Sequence, residues 1–78
     1  MTYTDHIETR KDVLGGKPIF KGTRISVEII LSFLAAGWTE EQIVENYPRL
    51  SRDHLRAMYG LAHELVTEER FIIESKVA

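Results

Sequence analysis

The chain has 78 residues, of which 44% are hydrophobic, and its formal net charge at pH 7 is −2. This length allows one small domain but not two, and the hydrophobic share excludes a chain that is disordered throughout. The absence of cysteine excludes disulfides and cysteine-ligated zinc, so oligomerisation is the remaining way to support a thin core. No apolar run reaches 18 residues and the N-terminal MTYTDHIETRK has no apolar signal segment, so we expect a cytoplasmic protein.

Charge is distributed unevenly along the chain. Residues 1–25 carry five basic and three acidic side chains, whereas residues 39–78 carry five basic and eight acidic ones. This layout favours a basic end that faces nucleic acid and an acidic end that avoids it. It does not establish strong DNA binding, because phosphate contacts normally need a larger positive surplus.

The first 25 residues predict β structure and turns. Residues 6–10 are expected to form a short edge strand or an arm that pairs with another chain, and Gly15-Gly16 predicts a turn. Residues 17–25, KPIFKGTRI, predict a small hairpin around Lys21-Gly22, although lysine is not favoured at the first position of a two-residue turn. Two interpretations of its cationic side chains stay open, phosphate binding and simple solvation; these side chains are Lys17, Lys21 and Arg24.

The next segment predicts a helix that begins after Ser26. Because its residues are apolar at nearly every position, we expect this helix to be buried at the centre of the domain. Gly37 is expected to end it in a left-handed conformation. Trp38 is expected to pack on the following helix near Ile43 rather than to stack on a ligand.

The segment from Thr39 to Arg56 predicts a helix, a tight corner and a second helix. Thr39 and Gln42 match the capping-box pattern, Pro48 ends the first helix, and Ser51 begins the second. Helix-turn-helix motifs have this outline, and so do corners that only bury apolar faces. If the corner reads DNA, the predicted contacts on it are Ser51, Arg52, Arg56 and Arg49, and the hairpin adds Lys17, Lys21 and Arg24.

The last helix is predicted to run from Ser51 to about Glu74, with apolar residues at steps of three and four. Its last turns extend past so small a core, so their apolar stripe predicts a partner or dimer surface. The residues expected there are Leu65, Val66, Phe71, Ile72 and Ile73.

Residues with catalytic or metal-binding chemistry form no recognisable pattern. The histidines at 6, 54 and 63 are too scattered for a metal site, and the glutamates at 64, 68 and 69 fit a solvated helix face. There is no glycine-rich phosphate loop and no nucleophile motif. We therefore predict a non-enzyme without cofactor or metal.

Several short motifs together carry a family resemblance. They are GGKP-x-x-KGTRI-x-V, LAAG, EEQI and YP-x-L, and the combination is highly specific. On these motifs the chain resembles the bacterial family called domain of unknown function 433 over about residues 6 to 66. Ser26 stands where many relatives have proline, and either residue can begin a helix.

This resemblance implies a homeodomain-like helix-turn-helix fold and a VapB-like antitoxin role, often beside a gene for a PIN-like nuclease toxin. Thr39 to Tyr47 would be the positioning helix, and Arg52 to about Met58 the start of the recognition helix. The family offers no catalytic residues to transfer.

We therefore expect a mostly α fold, namely a small homeodomain-like three-helix helix-turn-helix domain with a short N-terminal β-hairpin or arm. Residues 1–78 are expected to form a single domain: β arm and hairpin at 1–25, helix-turn-helix core at 26–66 and C-terminal helix extension at 67–78. The expected function is a dimeric DNA-binding antitoxin that represses its own operon and neutralises a PIN-like toxin. The alternative is a protein-interaction or dimerisation module that does not bind DNA.

Overall fold

A computed structural model describes residues 3–69 of the chain. Three helices follow a two-stranded antiparallel sheet, and short 3₁₀ turns flank the strands. The elements are β1 (Ile7–Glu8), β2 (Ile19–Phe20), α1 (Val27–Ala35), α2 (Glu40–Asn46) and α3 (Arg52–Glu69). The predicted class is confirmed: a small, mostly helical domain with three helices and a short N-terminal β-hairpin.

The two strands pair within one chain. Ile7 lies opposite Phe20 and Glu8 lies opposite Ile19, so the predicted N-terminal strand exists but its partner is β2 of the same molecule. The hairpin predicted over residues 17–25 is confirmed in part: an antiparallel bridge joins Ile19 to Ser26 and the Phe20 N–H donates to Ile25 O at 3.0 Å, but the second arm is not a strand. Ser26 is already the N-cap of α1, which leaves no residues for a second strand arm.

The predicted starts of α1 and α2 and the predicted end of α1 are confirmed, whereas the predicted end of the last helix at about Glu74 lies outside the described residues. Thr39 Oγ1 accepts a hydrogen bond from the Gln42 backbone N–H at 3.1 Å, and Gln42 Oε1 accepts one from the Thr39 N–H at 2.8 Å. Ser26 Oγ accepts the Ile29 N–H at 3.0 Å at the start of α1. Gly37 follows α1 with a φ of +104°, the left-handed geometry that glycine adopts without strain.

The core is formed by β1, β2 and one stripe of each helix. Its fully buried large side chains are Ile19, Phe20, Ile30, Ile43, Leu55 and Met58. The prediction of a buried central α1 is wrong in extent, because only Val27 and Ile30 of that helix are buried. Ile29 is 42% exposed and Leu31 is 37% exposed, since residues 3–69 of so small a domain supply neighbours for one face of α1 only.

Trp38 is a packing residue of the α1–α2 connection. Its ring stacks on Phe33 with 4.4 Å between centroids, and Phe33 in turn lies 6.1 Å from the ring of Tyr47. The predicted packing role of Trp38 is therefore confirmed, but its stacking partner is Phe33 of the preceding helix α1, which the sequence did not indicate.

The helix α3 starts within the core and ends outside it. Leu55 and Met58 are buried, Leu61 is half-buried, and Leu65 and Val66 are 48% and 60% exposed. The predicted extension of this surface, Phe71, Ile72 and Ile73, lies outside the described residues. None of the helices within residues 3–69 is long and apolar enough to cross a membrane.

Candidate functional site

The corner between α2 and α3 is a short turn, and the side chain of Leu50 anchors it in the hydrophobic core. This side chain is 3% exposed, and its backbone N–H donates to Tyr47 O at 2.8 Å. Tyr47 N–H donates to Ile43 O at 2.8 Å, which closes the last turn of α2. Burial of Leu50 and these two hydrogen bonds fix the chain direction at which α3 begins.

Ser51 and His54 cap the N-terminus of α3 reciprocally. Ser51 Oγ accepts the His54 backbone N–H at 3.2 Å, and the Ser51 N–H donates to His54 Nδ1 at 3.0 Å. This is the arrangement of a capping box with an imidazole in the place usually taken by glutamate or glutamine. The predicted cap is confirmed, and the Ser51 hydroxyl, also predicted to contact DNA, is part of it.

The other side of the His54 ring binds the loop after β2. Because Nδ1 accepts a hydrogen bond, the hydrogen-bond network assigns the ring proton to Nε2, which donates to Lys21 O at 3.2 Å. The His54 ring also packs edge-on against the rings of His6 and Phe20, with centroid–centroid distances of 5.4 Å and 5.7 Å. His54 therefore connects α3 to the loop and to the N-terminal segment.

The pairing of His6 with His54 does not make a metal site. Within the described part of the chain, no group of three histidine, aspartate, glutamate or cysteine residues is placed to hold a metal ion. These histidines are scattered in the sequence, and their structural role was not predicted from it. No local pattern could have joined residues that lie 48 positions apart.

Glu40 connects the two helices of the corner. Its Oε2 accepts the Tyr59 hydroxyl at 2.7 Å, and its Oε1 lies 3.4 Å from Arg52 Nη1. Burial, the hydrogen bond to Glu40 and the negative charge of Glu40 together raise the pKa of Tyr59 to about 12. The neutral form of the Tyr59 phenol is thus favoured. The hydrogen bond from its hydroxyl to Glu40 joins α3 to the first turn of α2.

The two arginines predicted to read DNA from α3 differ in their surroundings. Arg52 is paired with Glu40 and also with Glu41, whose Oε2 lies 3.9 Å from Nη2. Arg56 is exposed, one turn further along, and forms no hydrogen bond or ion pair with the described residues 3–69. Arg56 is therefore the cation of α3 that is available without breaking an existing contact.

The lysines predicted to bind phosphate in the N-terminal part also differ in their contacts. Lys17 Nζ forms an exposed ion pair with Glu28 at 3.0 Å. Lys21 Nζ donates to Thr4 O at 3.0 Å, which ties the loop to the N-terminal 3₁₀ turn. Both side chains support the fold of this region as well as contributing charge.

An open cleft beside the corner collects arginines from three separate segments. Its lining residues are Arg10, Val13, Gly22, Thr23, Arg24 and Arg49. Arg24 and Arg49 belong to the predicted DNA-binding set, whereas Arg10 does not. Arg10 was missed because no sequence pattern relates the end of β1 to a loop and a helix corner far along the chain.

Thr23 holds the loop that forms one wall of this cleft. It is 9% exposed, its hydroxyl donates to Phe20 O at 2.8 Å, and the same hydroxyl accepts the Ile25 N–H at 2.9 Å. The Thr23 N–H also donates to Phe20 O at 3.0 Å. Gly22 turns the loop with a φ of +85°, where a side chain would be strained. The KGTR sequence thus encodes a rigid turn that presents Arg24.

A second, apolar groove lies between α1 and α3. Its lining residues are Pro18, Val27, Glu28, Leu31, Met58, Leu61, Ala62 and Leu65. The predicted partner-surface residue Leu65 borders this groove, and the exposed Leu31 lies on its α1 side. The apolar surface is therefore broader than the α3 stripe that the sequence predicted.

The fold and these surfaces define a small helical domain with a capped two-helix corner, an arginine-lined cleft and an exposed apolar groove. By sequence, the chain belongs to the family described as "Protein of unknown function (DUF433)", whose profile matches residues 7–60. The family resemblance inferred from the motifs is thereby confirmed.

One curated relative is "Uncharacterized protein y4eO" of Sinorhizobium fredii, 33% identical to this chain over 61 residues. The matched part covers 76% of this chain but 28% of that protein, so the chain spans less than a third of its relative's length. No solved structure matches the chain significantly.

Proposed function

We propose that this domain binds DNA through its α2–α3 corner and serves as the antitoxin of a toxin–antitoxin pair that regulates its own operon. The observation that carries the proposal is Arg56, which is exposed and forms no ion pair with residues 3–69, on the first turns of a rigidly capped helix whose neighbouring loops present Arg24 and Arg49. A fixed helix start is what a recognition helix needs, because its first residues must meet base edges in the major groove.

Arg56 is assigned the base or phosphate contact nearest the centre of the interface. Arg52 is assigned a second contact, and its pairs with Glu40 and Glu41 do not prevent this. All three side chains are substantially exposed, so each pair contributes at most about 1 kcal/mol. A bidentate arginine–guanine contact contributes about 1–3 kcal/mol to base discrimination, which is enough to displace the pairs.

The remaining predicted contacts are assigned to the DNA backbone. They lie just before β2, on the β2–α1 loop and at the corner, where the surplus of positive charge in the N-terminal part would face phosphate. These residues are Lys17, Lys21, Arg24, Arg49 and Ser51. Phosphate contacts of this kind set the orientation of the recognition helix rather than the base preference.

The antitoxin part of the proposal rests on the apolar surface at the far end of α3. Leu65 and Val66 are exposed there, and Leu65 also borders the groove between α1 and α3. Contiguous exposed apolar surface of this kind is typical of an interface. We assign it to a second copy of the chain or to a PIN-like nuclease toxin, and no residue is assigned a catalytic role.

Replacement of Arg56 by alanine tests the DNA-reading role. Loss of a base-reading arginine is expected to weaken binding to the specific duplex by about 1–3 kcal/mol. Lys11→Ala is the matched control, since it also removes one exposed positive charge but lies outside the predicted interface. Fluorescence anisotropy on an operator duplex measures both, and equal affinities for the two variants would remove Arg56 from the interface.

A second candidate function is a protein-interaction module that does not bind DNA. The pairing of Arg52 with two glutamates and the width of the apolar groove favour it. The two functions differ in their response to salt: DNA affinity falls steeply as salt rises, whereas association through apolar surface changes little.

A further inference from the structure

We propose that the cleft formed by Arg10, Arg24 and Arg49 is a binding site for one phosphate group of a nucleic-acid backbone. The site includes Arg10, which lies outside the helix-turn-helix segment and outside the motifs that define the loop. This inference depends on the proposed DNA binding only for the identity of the molecule that carries the phosphate. The geometry and the charge of the cleft support the site itself.

The first observation is that three arginines from separate segments line one cleft. They come from the segment after β1, from the loop after β2 and from the α2–α3 corner. No acidic residue lines this cleft within the described part of the chain. Like charges brought together repel, so such an arrangement is favoured when an anion occupies the space between them.

Existing contacts leave most of this charge available. Arg24 forms no hydrogen bond or ion pair with residues 3–69. Arg10 Nε lies 4.0 Å from Asp12 Oδ1, at the outer limit of an ion pair, and both side chains are more than half exposed. Arg49 Nη1 donates to Gly22 O at 3.5 Å, a long and therefore weak hydrogen bond to another residue that lines the cleft. Arginine is well suited to phosphate because its planar fork donates two parallel hydrogen bonds.

The cleft has a rigid wall, so its arginines need little ordering on binding. The Thr23 hydroxyl bridges Phe20 O and the Ile25 N–H, and His54 Nε2 donates to Lys21 O. Gly22 brings backbone without a side chain to the cleft, and a Cβ there would meet no heavy atom within 4 Å. The loop thus keeps its shape without a ligand and leaves space beside Gly22.

The position of the cleft favours a backbone phosphate as the source. Arg49 lies two residues before Ser51, the N-cap of α3, so an anion held by Arg49 would sit beside the start of the proposed recognition helix. Phosphate contacts next to a recognition helix are the ones that fix its register on the duplex. Free inorganic phosphate has the same recognition chemistry and is the alternative source.

The test compares the full chain with the double variant R10Q/R24Q. Arg49 is kept because it also bonds Gly22 O, and Gln retains polar bulk at both changed positions. The matched control is K11Q, which removes an exposed positive charge next to Arg10 in the sequence and belongs neither to the cleft nor to the proposed DNA contacts. Equal melting temperatures of the three proteins confirm that the comparison concerns binding.

The first readout is the salt dependence of binding to a DNA duplex. Loss of one neutralised phosphate lowers the slope of log affinity against log salt by about 0.9. We expect that decrease in R10Q/R24Q, equally on operator and random duplexes, because a backbone contact carries no base preference. An unchanged slope in R10Q/R24Q, or an equal change in the control, overturns the site while leaving DNA binding by the corner intact.

The second readout identifies the source of the phosphate. NMR of the arginine Nε–Hε groups is followed during titration with inorganic phosphate and, separately, with duplex at constant ionic strength. Shifts of Arg10, Arg24 and Arg49 with duplex at concentrations where inorganic phosphate has no effect support the proposal. Shifts with inorganic phosphate and no binding of any duplex overturn both the backbone assignment and the proposed function. Absence of arginine shifts with a duplex that binds overturns the site alone.

Discussion

Thr23→Val isolates the contribution of one hydroxyl to the loop that presents Arg24. Valine keeps the shape of threonine but removes the donor to Phe20 O and the acceptor of the Ile25 N–H. Phe20 O retains the Thr23 backbone N–H at 3.0 Å, so the uncompensated loss falls on the Ile25 N–H. One lost hydrogen bond and one partly buried N–H left without its partner together lower the free energy of unfolding by about 2–4 kcal/mol.

Urea unfolding followed by circular dichroism measures this loss. A domain of this size has a total stability of roughly 4–12 kcal/mol, so the change is a large fraction of it. With a urea m-value near 1 kcal/mol/M, the midpoint falls by about 2 M or more. Thr23→Ser is the control, because it keeps the hydroxyl and loses one methyl group at about 1 kcal/mol. A valine variant at least as stable as the serine variant would refute the role of the hydroxyl.

Three further changes test the fold and its electrostatics. Gly37→Ala should lower the free energy of unfolding by about 1–2 kcal/mol, because the φ of Gly37 is +104°. Gly60→Ala within α3 should raise it by about 0.5–1 kcal/mol, because a Cβ there meets no heavy atom within 4 Å. Thermal melts in which both melting temperatures move in the same direction would contradict this. His54→Ala should cost about 2–3 kcal/mol through two lost hydrogen bonds and its ring contacts, and the exposed His63→Ala close to nothing, by the same melts. Because the pKa of Tyr59 is raised to about 12, its hydroxyl contributes stability that is complete below pH 10 and is lost as the pH rises through about 12. Tyr59→Phe should therefore show a smaller decline of the free energy of unfolding between those pH values. An equally steep decline in the variant would contradict the raised pKa of Tyr59.

The sequence was most informative where structure is decided by neighbours along the chain. The capping box of Thr39 and Gln42, the left-handed Gly37 and the cap at Ser51 depend on contacts three or four residues apart, and all three predictions are confirmed. Local hydrogen-bond chemistry is sufficient for such features.

Features decided by distant residues were not predictable in the same way. The hydrogen bond between His54 and Lys21 joins positions 33 residues apart, and the cleft gathers Arg10 with two arginines from later segments. The burial of α1 was overestimated for a related reason. An apolar sequence does not state how many elements will pack around a helix, and in the described part of the chain α1 has neighbours on one face only.

The central claim is that the α2–α3 corner is a DNA-reading surface. The most direct measurement is fluorescence anisotropy of the full chain on a duplex from the region upstream of its own gene, at two salt concentrations and with random competitor DNA. We expect binding that tightens steeply at low salt, survives the competitor and weakens in Arg56→Ala. Absence of binding at both salt concentrations would contradict it and would move the function to protein association through the apolar groove between α1 and α3.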